Sequence, residues 1–191
     1  PTVVPVDTQA GADDAVTVTF MVFNQIVANG RVLIEFPSTF VSLDALPVIS
    51  DYIVNGIPGG STPTATSSGL VMTVTIPSIV PAGSAVSFQA AKVTNRQSAG
   101  PTGVFPSFKT TLADGTTTVD EASASFNPAG RPASVNITSH EFKVPSPTVV
   151  PVDTQAGADA AVTVTFTVFN QIDANGRVLI EFPSTFVSLD A

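Results

Sequence analysis

The chain carries its own opening twice. Residues 1–45 begin PTVVPVDTQAGADDAVTVTF, and residues 147–191 begin PTVVPVDTQAGADAAVTVTF, an offset of 146 residues. Of the 45 aligned positions 42 are identical; the exceptions are Asp14 against Ala160, Met21 against Thr167 and Val27 against Asp173. A period of this length is too long for a solenoid turn of roughly 20–50 residues and matches a self-contained domain with its own core. The sequence therefore predicts one full period followed by the start of a second, near-identical module. We read it as a window on a longer tandem array.

Within the period, apolar residues recur at every second position. Val16, Val18, Phe20 and Val22 alternate with Thr17, Thr19 and Met21, the pattern of a strand with one face inside and one outside. Val32, Ile34 and Phe36 repeat it after Asn29-Gly30, a hairpin-type turn signal. Further strands are expected at Val48–Val54, around Met72, Val74 and Ile76, around Val86, Phe88 and Ala90, and at Phe108–Leu112, the last turning through Asp114-Gly115 into Val119–Phe126. A strand through Val135, Ile137 and Phe142 is expected to open the next module. Pro58-Gly59-Gly60, Pro81-Ala82-Gly83, Ala99-Gly100-Pro101 and Pro128-Ala129-Gly130 punctuate the strands. About eight short strands so punctuated, with no convincing helical period, predict an all-β fold of two-sheet sandwich modules. Two of the repeat's differences, at Met21 and Val27, fall on a predicted outer face and in a turn, where a polar residue is tolerated. The expected division is a first module over 1–132, lacking its opening strand, and the opening strands of a second over 133–191.

Composition narrows the function. Seven basic residues against fifteen acidic ones give a net charge of −8, which repels a polyanion, so nucleic acid is excluded as a partner. No apolar run approaches the ~20 residues of a membrane helix, so no membrane insertion is expected in this segment. Charged residues make up 12% and hydrophobic ones 43%, a chain able to bury a core. The stretch Gly59–Gly69, rich in Ser, Thr and Gly, reads as a solvated loop, with O-glycosylation as its alternative. The stretch from Asn127 to Val150 holds Pro128, Pro132, Pro145 and Pro147 and is expected to be a short, stiff, extended junction.

Catalytic chemistry finds no footing. His140 is the sole histidine, so neither a triad nor a His-based metal site can be assembled around partners of its own kind. No nucleophile elbow, P-loop or dinucleotide-binding turn occurs. The neighbours Asp13/Asp14 and Asp120/Glu121 would project to opposite faces of a strand rather than converge across a cleft as a glycosidase requires. No cofactor is expected. The one metal reading with any basis is calcium: Asp7, Asp13 and Asp14 lie in one loop, and Asp114, Asp120 and Glu121 could meet them if modules stack end to end, with Asp7, Asp13, Asp120 and Glu121 as the ligands. Asp14 becomes Ala160 in the second copy, so not every module would need that ligand. Asn136-Ile137-Thr138 is the only N-glycosylation sequon.

The run AGADDAVTVTFMVFNQIVANGRVLIEFPSTF resembles the opening of immunoglobulin-like sandwich repeats in giant surface proteins of algae, protists and bacteria. The later GLVMTVTIPSIVPAGSAVSFQAAKVTNRQSAGPTGVF is similar to the same pattern, with Val-Pro-Ala-Gly-Ser before a strand and Val-Thr-Asn after it. The resemblance covers nearly the whole period. It implies immunoglobulin-like modules in tandem, in an extracellular or cell-surface filament, sheath or adhesin, with further copies of the module as partners, in line or by strand donation. It supplies no catalytic residues. Two other functions compete. A carbohydrate-binding module, with surface glycans as partners, usually wants exposed Trp or Tyr, and this chain has no Trp and one Tyr, Tyr52. Ice binding is suggested by the pairs Thr17/Thr19 and Thr73/Thr75, although Thr on outer strand positions is ordinary.

Overall fold

A computed structural model describes residues 1–40, 42–139, 148–152, 161–168, 172 and 176–182. The chain divides into two compact units, Pro1–His140 and Glu141–Ala191. Both are built from antiparallel strands, numbered here in chain order.

In the first unit one sheet runs β1 (Thr2–Pro5), β2 (Asp13–Met21), β9 (Ala85–Thr94), β5 (Ile49–Val54) and β6 (Ile57–Pro58), with β4 (Ser42–Leu43) pairing the end of β9. The other runs β12 (Thr118–Ser123), β11 (Ser107–Thr111), β3 (Arg31–Glu35), β8 (Val71–Thr75) and β7 (Thr64–Ser68). The short strands β10 (Gly100–Pro101) and β13 (Asn136–Ile137) form a separate ribbon. The two large sheets share one core. Val16, Val18 and Phe20 of β2 and Phe88 of β9 lie in the same buried cluster as Val32, Ile34, Val74 and Phe108 of the other sheet. Phe20 and Phe108 meet across the interior with ring centroids 5.1 Å apart.

The alternation read from the sequence sets this register. Val18, Val32, Ile34, Val74, Ile76 and Phe88 are fully buried, whereas Thr19 and Met21 are exposed and Thr17 is half-buried. A slip of one residue would turn the Val and Phe set outward, so burial of a single face fixes the pairing. At the end of β3, Phe36, Phe40 and Phe105 form an edge-packed aromatic group, with centroids of Phe36 and Phe105 5.3 Å apart.

Several expectations are corrected. Asn29-Gly30 does not close a hairpin: β2 and β3 belong to different sheets, so this turn carries the chain across the sandwich. Asn29 takes the left-handed conformation, and a Cβ on Gly30 would stand 2.8 Å from both Ile26 Cγ2 and the Val27 carbonyl. Thr64–Ser68, read as part of a loop, is an edge strand in register with β8 over five pairs. Its small polar residues supply little packing, and Ala65 alone goes fully inside. Thr2–Pro5, flanked by prolines and unread as a strand, pairs β2 at the sheet edge, where a proline's missing donor is tolerated. A register shift after Thr110 buries Thr111 and turns Leu112 outward. Asn127–Val150 is not extended throughout, because Pro128–Gly130 is a 3-10 turn entered through left-handed Asn127. Asn136–Ile137 pairs with Gly100–Pro101, so this strand closes the first unit rather than opening the second.

In the second unit β14 (Thr148–Pro151) pairs β15 (Val162–Thr165). The register matches β1 on β2 residue for residue: Thr148 faces Thr165 as Thr2 faces Thr19, and Pro151 faces Val162 as Pro5 faces Val16. Arg177–Glu181, identical in sequence to β3 and expected as a strand, is not one. Among the described residues no strand pairs with it, and Leu179 is 92% exposed. The Phe20 site tests the first unit's packing. Phe20→Ala removes a ring lying against Phe108 and should lower unfolding free energy by about 3–5 kcal/mol in a urea melt, with the slope unchanged.

Candidate functional site

The nine residues of β2 span about 26 Å, which sets the length of the first sandwich. At one end lie the Asn29-Gly30 and Asp114-Gly115 turns; at the other lie Asp7–Asp13, Asn95–Thr102 and Ser134–Thr138. Strand β1 begins beside Thr19, at the turn end, and runs toward the other. The chain's last described residues in this unit leave from that opposite end, because Thr138 is bonded to the loop after β1.

That second end is the best-knit polar region among the described residues. The Thr138 amide donates to the Thr8 carbonyl at 2.7 Å, and the Ala10 amide donates to the Thr138 carbonyl at 2.7 Å, around a parallel bridge between Gln9 and Thr138. The Thr138 hydroxyl adds a bond to Thr8 O at 3.2 Å. Asn95 holds the loop from beneath. Its side chain is 2% exposed, and its Nδ2 donates to the carbonyls of Asp7 (2.7 Å) and Gln9 (3.1 Å). Its own amide donates to Ala12 O, while the Gly11 amide donates to Arg96 O. The amide of fully buried Thr102 donates to the Val135 carbonyl at 2.8 Å, and its hydroxyl accepts the Val135 amide at 3.0 Å. The first and last segments of the unit are thus tied to each other and to the end of β9 by bonds between residues far apart in sequence.

Within the first unit the candidate calcium residues lie toward opposite ends. Asp7 accepts from the Gln9 amide and Asp13 lies at the start of β2, both at the tied end. Asp120 lies toward the turn end, accepting from the amide and side chain of Asn24 at 3.1 and 2.7 Å, and Glu121 follows it opposite Lys109. Asp114 accepts from the amides of Thr116 and Thr117 and from the Thr117 hydroxyl, closing the β11–β12 turn. Among the described residues no three His, Cys, Asp or Glu side chains come together. The Thr117 bonds, with the Thr116 amide behind them, bring the Asp114 carboxyl down to about 2. Asp44 is lowered by the Leu46 amide and by Lys92, whose Nζ lies 3.1 Å away.

Asn136 is exposed on β13, open to modification. His140 lies outside the described residues. Tyr52 is buried beneath Gly59, where a Cβ would stand 2.1 Å from the ring, and burial raises its phenol. The single tyrosine therefore offers no exposed sugar platform. The sequence missed the tie itself. Asn95 and Thr138 are common residues whose roles depend on partners 86 and 130 positions away. A polar residue directly after the apolar alternation of β9 was the only cue.

Two outcomes follow. Asn95→Ala leaves the Asp7 and Gln9 carbonyls without their buried donor and should cost about 1–3 kcal/mol in a chemical melt. In an NMR titration the Asp114 carboxyl should titrate near 2. Because its folded value is depressed, its support of the turn is complete above the ordinary carboxylate range near ~3.9 and is lost as pH falls through about 2.

Comparison of the chain with protein-family models, with curated proteins and with solved structures finds no match.

Proposed function

We propose that the 146-residue period is a non-catalytic, load-bearing module of a tandem array, in an extracellular filament, sheath or adhesin. The observation that carries this reading is the placement of the first unit's ends: the chain enters at the turn end, beside Thr19, and leaves at the tied end, beside Thr8. Copies so joined pass tension through the length of each sandwich. Tension between Thr2 and Thr138 runs along the strands, so the β1–β2 pairs and the Thr8–Ala10 bonds to Thr138 share the load instead of opening one by one. The identical β14–β15 register supports the second copy as another module of the same kind.

An immunoglobulin-like topology is part of the proposal. The order β1-β2-β9-β5 against β12-β11-β3-β8 corresponds to A-B-E-D facing G-F-C and an added strand. The departure is the β7–β8 hairpin, which lies in sequence between the strands in the D and E places. Under this reading the partners are further copies of the module, and exposed Asn136 is the N-glycan acceptor.

Single-molecule pulling from the two ends of the native protein tests the proposal. Each module should give a discrete force peak, with extension between peaks of about 440 Å for the 136 residues between Thr2 and Thr138, less the folded length. A featureless extension curve would rule out a load-bearing module.

A further inference from the structure

An Asn or Asp precedes a Gly at Asn29-Gly30, Asn55-Gly56, Asp114-Gly115 and Asn175-Gly176, and the first three of these turns lie in the first unit. The dipeptide carries a latent reaction. The glycine's backbone nitrogen can attack the side-chain carbonyl carbon before it, an intramolecular step that a glycine with no Cβ leaves unhindered. The reaction needs that nitrogen free of other bonds and a turn with room to swing.

Two of the three turns are closed to it. At Asn29-Gly30 the Gly30 amide donates to the Val27 carbonyl at 2.9 Å and the Asn29 amide to the Ile76 carbonyl at 2.8 Å. Gly30 is buried against Ile26 and the Val27 carbonyl. At Asp114-Gly115 the Gly115 amide donates to the Leu112 carbonyl at 3.0 Å, and the Asp114 carboxylate is taken up by Thr116 and Thr117.

Asn55-Gly56 is open. It joins β5 to β6, with Val54 facing Ile57 across the turn. Both residues are exposed, and both are left-handed, at φ 53° and 78°, as a two-residue hairpin turn requires. A Cβ on Gly56 would meet nothing within 4 Å. Among the described residues the Gly56 amide donates no hydrogen bond. The Asn55 side chain is also primed. Its Oδ1 accepts the Ala85 amide at 2.8 Å, and its Nδ2 donates to the Ser84 hydroxyl at 3.2 Å. A donor on Oδ1 draws electron density from Cγ, the atom a nucleophile must reach.

We propose that Asn55 is a spontaneous deamidation site of the folded module, and that Asn29 is protected from the same reaction. The Gly56 nitrogen gives its proton to hydroxide and bonds to Asn55 Cγ. The bond from Cγ to Nδ2 breaks, and Nδ2 takes up a proton and leaves as ammonia. Water then opens the cyclic imide at either carbonyl, leaving Asp or isoaspartate at 55. Both products add one negative charge to a chain already at −8. Asp keeps an oxygen for the Ala85 amide. Isoaspartate puts a methylene into the turn and takes Val54 out of step with Ile57. The damage stays local, because β6 is an edge strand and Ile57 and Pro58 are exposed. The reaction does not depend on the module's bearing load.

The test uses the full chain, held folded in warm, mildly alkaline buffer, beside a sample held in denaturant. Both are digested at low pH, and each Asn-Gly peptide is weighed for the change from amide to acid. The peptides of Asn29 and Asn175 are told apart by Val27 against Asp173. In denaturant Asn29 and Asn55 should convert at similar rates. In the folded chain Asn55 should keep converting, and Asn29 should fall behind it by about tenfold or more, because Gly30 must first give up a buried bond. Conversion at 55 should quicken as pH rises, since the Gly56 amide must lose its proton. Asn55→Gln, whose longer side chain would have to close a larger ring, should abolish the mass gain in that peptide and leave Asn29 as it was. The proposal is overturned if Asn55 is as protected as Asn29 in the folded chain, if the two convert alike there, or if the rate at 55 ignores pH.

Discussion

Contact between the inner faces of the two large sheets is the interaction on which the first unit depends. Neither sheet is stable without it. β2 and β9 present Val16, Val18, Phe20 and Phe88 on one face, and β3, β8 and β11 present Val32, Ile34, Val74 and Phe108 on the other. Each set is an apolar stripe that water would otherwise cover. Burying a single such side chain contributes about 1.5–3 kcal/mol, so the joint face outweighs any individual hydrogen bond at the periphery. The aromatic contacts, Phe20 on Phe108 and Phe36 on Phe40 and Phe105, add directional packing at the middle and at one end.

The second copy shows what that contact decides. Gly-Arg-Val-Leu-Ile-Glu-Phe occurs at 30–36 and again at 176–182. The first occurrence carries the central strand of a five-stranded sheet; the second is not a strand. Local propensity is identical in the two, so the difference lies in partners. A strand has no hydrogen bonds of its own to close, unlike a helix, and needs a neighbour on at least one side. β14 and β15 have each other and form; Arg177–Glu181 pairs with no strand among the described residues and does not.

The tied end of the first unit adds a different kind of constraint. Few apolar groups are involved where Thr8, Ala10, Asn95 and Thr138 meet. Asn95 is buried, and its two bonds to backbone carbonyls satisfy groups that would otherwise be orphaned in the interior. The result is that the loop after β1 is held by Asn95, directly after β9, and the segment Ser134–Thr138 is held by that loop and by Gly100–Thr102. This gives the load-bearing proposal a physical basis, since the entry point is paired along β2 and the exit point is bonded to the loop after β1.

Much of this architecture was legible in the sequence, and the boundary of legibility has a physical cause. The repeat set a period of 146 residues, close to the extent of the first compact unit, Pro1–His140. The alternation at Val16–Val22, Val32–Phe36 and Met72–Ile76 fixed which side chains face inward, because a strand's two faces follow a period of two whatever lies beside it. Asp114-Gly115 identified a true hairpin. Other features depended on neighbours far along the chain. Asn29-Gly30 looks like the same signal yet joins two sheets, since a turn's local conformation does not say which strand the chain will pair with next. Thr64–Ser68 has the composition of a loop and becomes a strand through β8. Asp7 and Asp13 lie at one end of the first unit and Asp120 and Glu121 belong to the other sheet toward the other end, so the two acid groups stand apart within a unit and only end-to-end stacking of modules would bring them together. Sequence alone thus determined the period, the strand faces and the absence of cysteine and tryptophan chemistry. Tertiary structure alone decided sheet order, the tie at Thr138 and that Arg31–Glu35 is a strand while Arg177–Glu181 is not, because each of these is a matter of which residues pair.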